Sequence, residues 1–196
     1  MAQTAPGAES TRIVIAEDEA IIRLDLKEML EEEGYTVVGE TGRGDEAVEL
    51  VRALQPDAVI LDIKMPGMDG IAAAREINAE RLAAVLLLTA FSQRDLIQQA
   101  SEAGALAYLV KPFQRSELVP AVEMALGRFR DLRAVEGEAA ALHERLETRK
   151  VVDRTKGKLM DDQGMTESDA YRHLQQTAME KRTTMREVAE GVLAAE

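Results

Sequence analysis

The chain has no cysteine and no tryptophan, and only two histidines, His143 and His173. The lack of cysteine excludes disulfides and thiolate metal sites, and two histidines make a histidine-based metal centre a poor expectation. No apolar run is long enough to span a bilayer. Met1 to Ser10 lacks a basic stretch followed by an apolar core, so it reads as a disordered lead-in and not a signal peptide. A cytoplasmic protein is expected.

What the chain has is charge, unevenly placed. Its formal net charge is −12. Residues 1–127 hold 11 Lys and Arg against 22 Asp and Glu, net −11; residues 128–196 hold 13 against 14, net −1. Within the rear part, Arg145, Arg149, Lys150, Arg154, Lys156 and Lys158 face only Glu147 and Asp153. Such a stripe is either a solvated helix face of mixed charge or a local surface for nucleic acid.

Hydrophobic periodicity divides the chain. Strands are expected at Arg12–Ala16, Tyr35–Glu40, Ala58–Asp62, Ala84–Thr89 and Leu106–Val110. Helices follow each: from Ala20 to a stop at Gly34, over Asp45–Leu54, from about Asp69 to Ala79, from a Ser92–Asp95 capping box to near Gly104, and from near Arg115. Continuous apolar runs such as Ala84-Val85-Leu86-Leu87-Leu88 fit a parallel sheet covered on both faces. Five successive βα units predict a doubly wound α/β domain with right-handed crossovers. Beyond Leu126 the pattern is all helix. Leu132, Val135, Ala139, Leu142 and Leu146 form a short heptad seam, either one face of a bundle or a coiled-coil contact. Thr166–Asp169 and Thr184–Glu187 have capping spacing for two short last helices.

The chemistry gathers at strand ends. Glu17 and Asp18 follow the first strand, Asp62 ends the third, and Lys111 follows the fifth. In an open parallel sheet, functional groups collect beyond the carboxyl ends of the strands. Three carboxylates and a lysine on that edge make a cation site with an acceptor oxygen that can hold a phosphoryl group. A plain buried ion pair of Asp62 with Lys111 is the simpler reading, and the acidic pair argues against it.

These residues, with Met65-Pro66-Gly67-Met68-Asp69-Gly70, Thr89-Ala90, Tyr108 and Lys111-Pro112-Phe113, resemble a response-regulator receiver domain over about Arg12 to Leu126. The resemblance implies a flavodoxin-like sheet of order 2-1-3-4-5 and a phosphoryl group passed to Asp62 from a sensor histidine kinase. It implies Mg2+ held directly by Asp18 and Asp62, with Glu17 in support and the main-chain carbonyl of Lys64 as a further ligand. Clustered carboxylates repel one another, so a divalent cation suits them. Magnesium prefers oxygen ligands and keeps waters. The resemblance also implies that Lys111 and Thr89 hold phosphoryl oxygens, that Lys111-Pro112 is cis, and that Thr89 and Tyr108 form a switch pair. Tyr108 is also readable as an ordinary strand aromatic.

The rear resembles an ANTAR domain, a three-helix RNA-binding module of transcription antiterminators. The residues that carry this are Lys156-Gly157, Leu159-Met160, Gly164-Met165-Thr166-Glu167, Ala170-Tyr171, Leu174, Ala178-Met179 and Val188-Ala189, over about Leu146 to Leu193. The whole arrangement is similar to the PdtaR-type regulators. One departure is Thr155, where the family usually has alanine. The expected RNA contacts are Arg149, Arg154, Lys156 and Arg172, with Lys181 and Arg182 as phosphate positioners. Tyr171 either stacks on an unpaired base or packs in the core. Gly157, in mid-helix, points to close approach of RNA or another helix.

The expected domains are a lead-in at 1–10, a receiver at 11–127, a helical linker at 128–148 and an RNA-binding unit at 149–196. The expected function is a regulator phosphorylated on Asp62 that controls RNA binding and antitermination. A phosphorylation-dependent homodimer is expected, formed through the seam. The alternatives are a helical output that binds DNA or a protein. No nucleophile–base pair or nucleotide loop appears outside the receiver site, so a stand-alone enzyme is not expected, nor is a membrane partner.

Overall fold

The computed structural model describes residues 10–90 and 94–194, apart from the side chains of Arg94 and Asp95. The expected capping box at Ser92–Asp95 and most of the lead-in lie outside the described residues. Ser10 itself donates a hydrogen bond to the Gly34 carbonyl at 2.7 Å, so it is tied to the domain.

In chain order the elements are β1 (Arg12–Ala16), α1 (Ala20–Glu32), β2 (Thr36–Thr41), α2 (Gly44–Leu54), β3 (Ala58–Asp62), α3 (Gly70–Ala79), β4 (Ala84–Thr89), α4 (Arg94–Glu102), β5 (Ala107–Val110), α5 (Arg115–Gln163), α6 (Glu167–Lys181) and α7 (Met185–Ala194). The strands make one parallel sheet in the order β2-β1-β3-β4-β5. That is the doubly wound, flavodoxin-like order expected from the sequence.

Alternation along the strands divides the core into two layers. Ile13 and Ile15 pack with Leu26, Leu30, Leu118 and Val122 of α1 and α5, while Val14 and Ala16 pack with Val48 and Val51 of α2 and Ile77 of α3. β3 and β4 are buried at every position because helices cover both faces. Local signals set the helix ends. Asp69 caps α3 by accepting from the Ala72 N–H at 2.8 Å, and Gly34 takes φ +88 after α1.

The chain divides into two compact units, 1–132 and 133–196. In the second, Val152 and Leu159 of α5 pack with Ala170, Leu174 and Ala178 of α6 and with Val188 and Ala189 of α7. Leu174 is the one member of this cluster among the largest fully buried side chains of the described residues, the rest of which belong to the first unit. At roughly 1.5–3 kcal/mol per buried large side chain, the second unit's stability rests more heavily on caps and polar ties. Both expected caps are present: Asp169 N–H donates to Thr166 at 3.2 Å, and Thr184 and Glu187 satisfy each other's N–H groups.

The seam does not form a bundle face. Val135, Leu142 and Leu146 are 65%, 60% and 51% exposed, and every residue from Arg130 to Leu146 is exposed. Among the described residues nothing buries this stretch of α5.

Candidate functional site

The carboxyl edge of the sheet brings the predicted front residues together. Glu17 and Asp18 leave β1, Asp62 ends β3, and each offers a carboxylate oxygen within 4.8 Å of the others. Glu17 and Asp62 are buried, whereas Asp18 is exposed. Lys111 enters from the end of β5, with Nζ 2.6 Å from Glu17 Oε2 and 3.1 Å from Asp62 Oδ1. Lys111 is anchored by its own N–H, which donates to the Thr89 carbonyl at 2.8 Å. The Lys111-Pro112 bond is cis. Thr89, at the end of β4, is buried, while Tyr108 on β5 is 46% exposed.

The β3–α3 loop follows from two glycines. Gly67 has φ +80, a conformation that side chains rarely adopt. At Gly70 a Cβ would stand 1.9 Å from the Asp62 carbonyl oxygen, so only glycine lets the start of α3 approach the acceptor strand this closely. The Gly70 N–H donates to the Ile63 carbonyl at 2.9 Å and closes the turn around Lys64.

Burial is the largest influence on the site's charges. It raises the Asp62 carboxyl above its ordinary value, against the opposing charge and hydrogen bond of Lys111. Burial likewise raises Glu17, which Lys111 partly offsets and the Asp62 charge reinforces. For Lys111, burial pulls down, but Glu17 and Asp62 outweigh it and the ammonium is held above its ordinary value. One lysine does not neutralise three carboxylates. A hard divalent cation fits this donor set, which is all oxygen and clustered.

The predicted rear residues are less uniform. Lys156 is locked between Asp153 at 2.7 Å and Glu167 at 2.8 Å, which joins α5 to α6. Arg149 makes a 3.7 Å contact with Asp153, Lys150 pairs with Glu147 at 2.7 Å, and Arg172 lies 3.5 Å from Asp169. Arg154, Lys181 and Arg182 have no ion pair among the described residues. The basic stripe is therefore partly neutralised within the chain. Tyr171 is 47% exposed, which corrects the reading of it as a core residue.

Two positions of α5 show what surrounds them. Thr155 is fully buried between helices, with its hydroxyl 2.8 Å from the Val151 carbonyl and 3.2 Å from that of Ala189. Gly157 has no atom of the described residues within 4 Å of where a Cβ would be, so no neighbouring helix among them demands glycine there. Met185, at the start of α7, lines a cavity with Arg145, Arg149 and Tyr171. Periodicity marks a residue as apolar but does not tell a core position from a cavity wall.

Comparison with known proteins places both halves. Residues 13–123 match the response regulator receiver domain, and residues 140–193 match the ANTAR domain. The chain is 59% identical over 189 residues to the transcriptional regulatory protein PdtaR of Mycobacterium tuberculosis, which covers 96% of this chain and 92% of the relative. Among solved structures, the signal receiver domain of the response regulator NarL from Mycobacterium tuberculosis superposes with a TM-score of 0.59 at 35% identity, covering 61% of this chain and 98% of that one. CheY in its complex with CheX, BeF3 and Mg2+ from Borrelia burgdorferi matches with a TM-score of 0.55 at 27% identity, covering 57% and 86%.

Proposed function

The chain belongs to the response-regulator family, as a receiver domain joined to an ANTAR domain, and from that premise we propose that a sensor histidine kinase phosphorylates Asp62 to control RNA binding by the C-terminal helices, and with it transcription antitermination. The observation that carries this reading is the set Glu17, Asp18, Asp62 and Lys111 at one sheet edge.

An Asp62 carboxylate oxygen attacks the phosphorus of a phosphohistidine. The P–O bond forms as the P–N bond breaks, and the histidine leaves with a proton. Positioning and charge neutralisation are most of what such a transfer requires. Asp18, Asp62, Glu17 and the Lys64 carbonyl would hold Mg2+, which would offset the negative charge gathered between acceptor and phosphoryl group. Lys111 is already within reach of Asp62 and takes one phosphoryl oxygen, and the Thr89 hydroxyl takes another. Drawing Thr89 inward opens room for the half-exposed Tyr108 ring to turn in, a two-state element biased by a local charge.

In the output half, Arg149, Arg154, Arg172, Lys181 and Arg182 meet RNA phosphates, while Lys156 chiefly fastens α5 to α6. A DNA-reading last helix is disfavoured, because Arg186, the cation of α7, is paired with Glu190 at 2.7 Å. As functional segments we assign the receiver to 11–127, the linker to 128–148 and RNA binding to 149–196, with a lead-in before residue 11. The exposed seam on α5 pairs two phosphorylated copies and brings two RNA-binding units together. No helix among the described residues is long and apolar enough to cross a membrane, and a cytoplasmic regulator is the matching location.

The test is phosphoryl uptake from a small acyl phosphate with Mg2+, read by intact mass and peptide mapping. Label on the peptide containing Asp62, lost in Asp62→Asn and with a chelator, is the expected result. Label taken up by Asp62→Asn would defeat the reading.

A further inference from the structure

The second unit contains a cavity of about 610 Å³, bounded by α5, by Tyr171 of α6 and by Met185 of α7. That lies within the roughly 300–1,000 Å³ that small-ligand sites occupy. Its lining joins two kinds of surface. Val152, Met185 and the Tyr171 ring are apolar or aromatic, and Arg145 and Arg149 supply positive charge. Tyr171 is 47% exposed, so its ring is not consumed by the core.

The charges select the occupant. Arg145 has no ion pair among the described residues. Arg149 is 82% exposed and held only by a 3.7 Å contact with Asp153. The two Asp153 oxygens already face Arg149 and Lys156. Glu144, also in the lining, accepts no hydrogen bond among the described residues. A flat ring with N–H groups on its edge and phosphates at its flanks satisfies all of these groups together. A free phosphate or an acidic peptide would set its charge against Glu144 and leave the aromatic wall unused.

We propose that this cavity seats one unpaired RNA base, stacked on Tyr171 beside Val152 and Met185, with Arg145 and Arg149 holding the flanking phosphates and Glu144 accepting from the base edge. Bases splayed from loops are recognised by aromatic stacking of this kind. The inference rests on the RNA-binding reading and assigns that reading a specific pocket.

The experiment uses the full chain and a hairpin RNA recovered by selection against a randomised loop. Binding is measured for wild type, Tyr171→Phe, Tyr171→Leu and Ala141→Trp, with folding checked by circular dichroism. Ala141 is an exposed residue of the lining, so the tryptophan fills the cavity without removing a charge. Tyr171→Phe should bind within about two-fold of wild type, and Tyr171→Leu should bind about ten-fold or more weakly, the scale of one base stack. Ala141→Trp should lose a similar amount. A 2-aminopurine in the loop should change its emission on binding wild type and not Tyr171→Leu. If the selected hairpin binds all four proteins equally, the pocket is not a base site and falls to a protein side chain. If no hairpin is recovered with wild type, the RNA-binding reading itself fails.

Discussion

The Thr155 hydroxyl on α5 lies 3.2 Å from the Ala189 carbonyl on α7 and 2.8 Å from Val151 in its own helix. In a unit with so small a core, this buried polar tie joins the long helix to the last one. Thr155→Val keeps the shape and removes the hydroxyl. It should lower the stability of the second unit by about 1 kcal/mol, the net worth of one such hydrogen bond. Thermal unfolding of the 133–196 signals with the receiver transition unchanged is the measurement, and equal stability would show that the hydroxyl contributes nothing.

Gly70→Ala tests how closely the acceptor strand and α3 approach. The new methyl has no room beside the Asp62 carbonyl, so the loop must move. A loss of about 3 kcal/mol, at the upper end for overpacking, and slowed phosphoryl uptake are expected. Denaturant unfolding and the rate of labelling measure the two effects.

Asp62→Asn should stabilise the metal-free protein, by an amount that depends on pH. Burial holds Asp62 and Glu17 above their ordinary 3.8 and 4.5. Between those values and the raised native ones, the folded chain keeps protons that the unfolded chain has released. Their contribution to stability therefore falls as pH rises through that window. The advantage of the amide in melting temperature should grow as pH rises above the ordinary 3.8 of Asp62. Added Mg2+ should reverse it at neutral pH, because it stabilises the form that binds it. An advantage that shrinks as pH rises would contradict this.

Leu142→Lys with Leu146→Lys tests the exposed seam. Both positions are more than half exposed, so the helix should persist in the monomer. Size-exclusion chromatography with light scattering should find wild type dimeric only with the phosphodonor, and the double variant monomeric with and without it. A dimer in the variant would place the contact elsewhere.

Most of the receiver was legible because its signals are local and redundant. The Ala58–Asp62 and Ala84–Thr89 runs, the Gly67 and Gly70 loop and the acidic pair each mark their place in the sheet. The start of β2 differed by one residue, since Tyr35 packs against the α5 side of the sheet without pairing as strand. The rear was less legible for a physical reason. Composition reveals that Lys156 is a cation, but its pairing with both Asp153 and Glu167 depends on how α6 folds back on α5. The exposure of Tyr171 and the burial of Thr155 depend on the same packing of helices.

The central claim is that a phosphoryl group on Asp62 governs how the C-terminal helices hold RNA. The most direct measurement is the affinity of the full chain for a selected hairpin RNA, with Mg2+, with and without an acyl phosphate, for wild type and Asp62→Asn. The account predicts tighter binding of wild type on phosphorylation, at least ten-fold if two output units act together, and no change in Asp62→Asn. Equal affinity of phosphorylated and unphosphorylated wild type would contradict it.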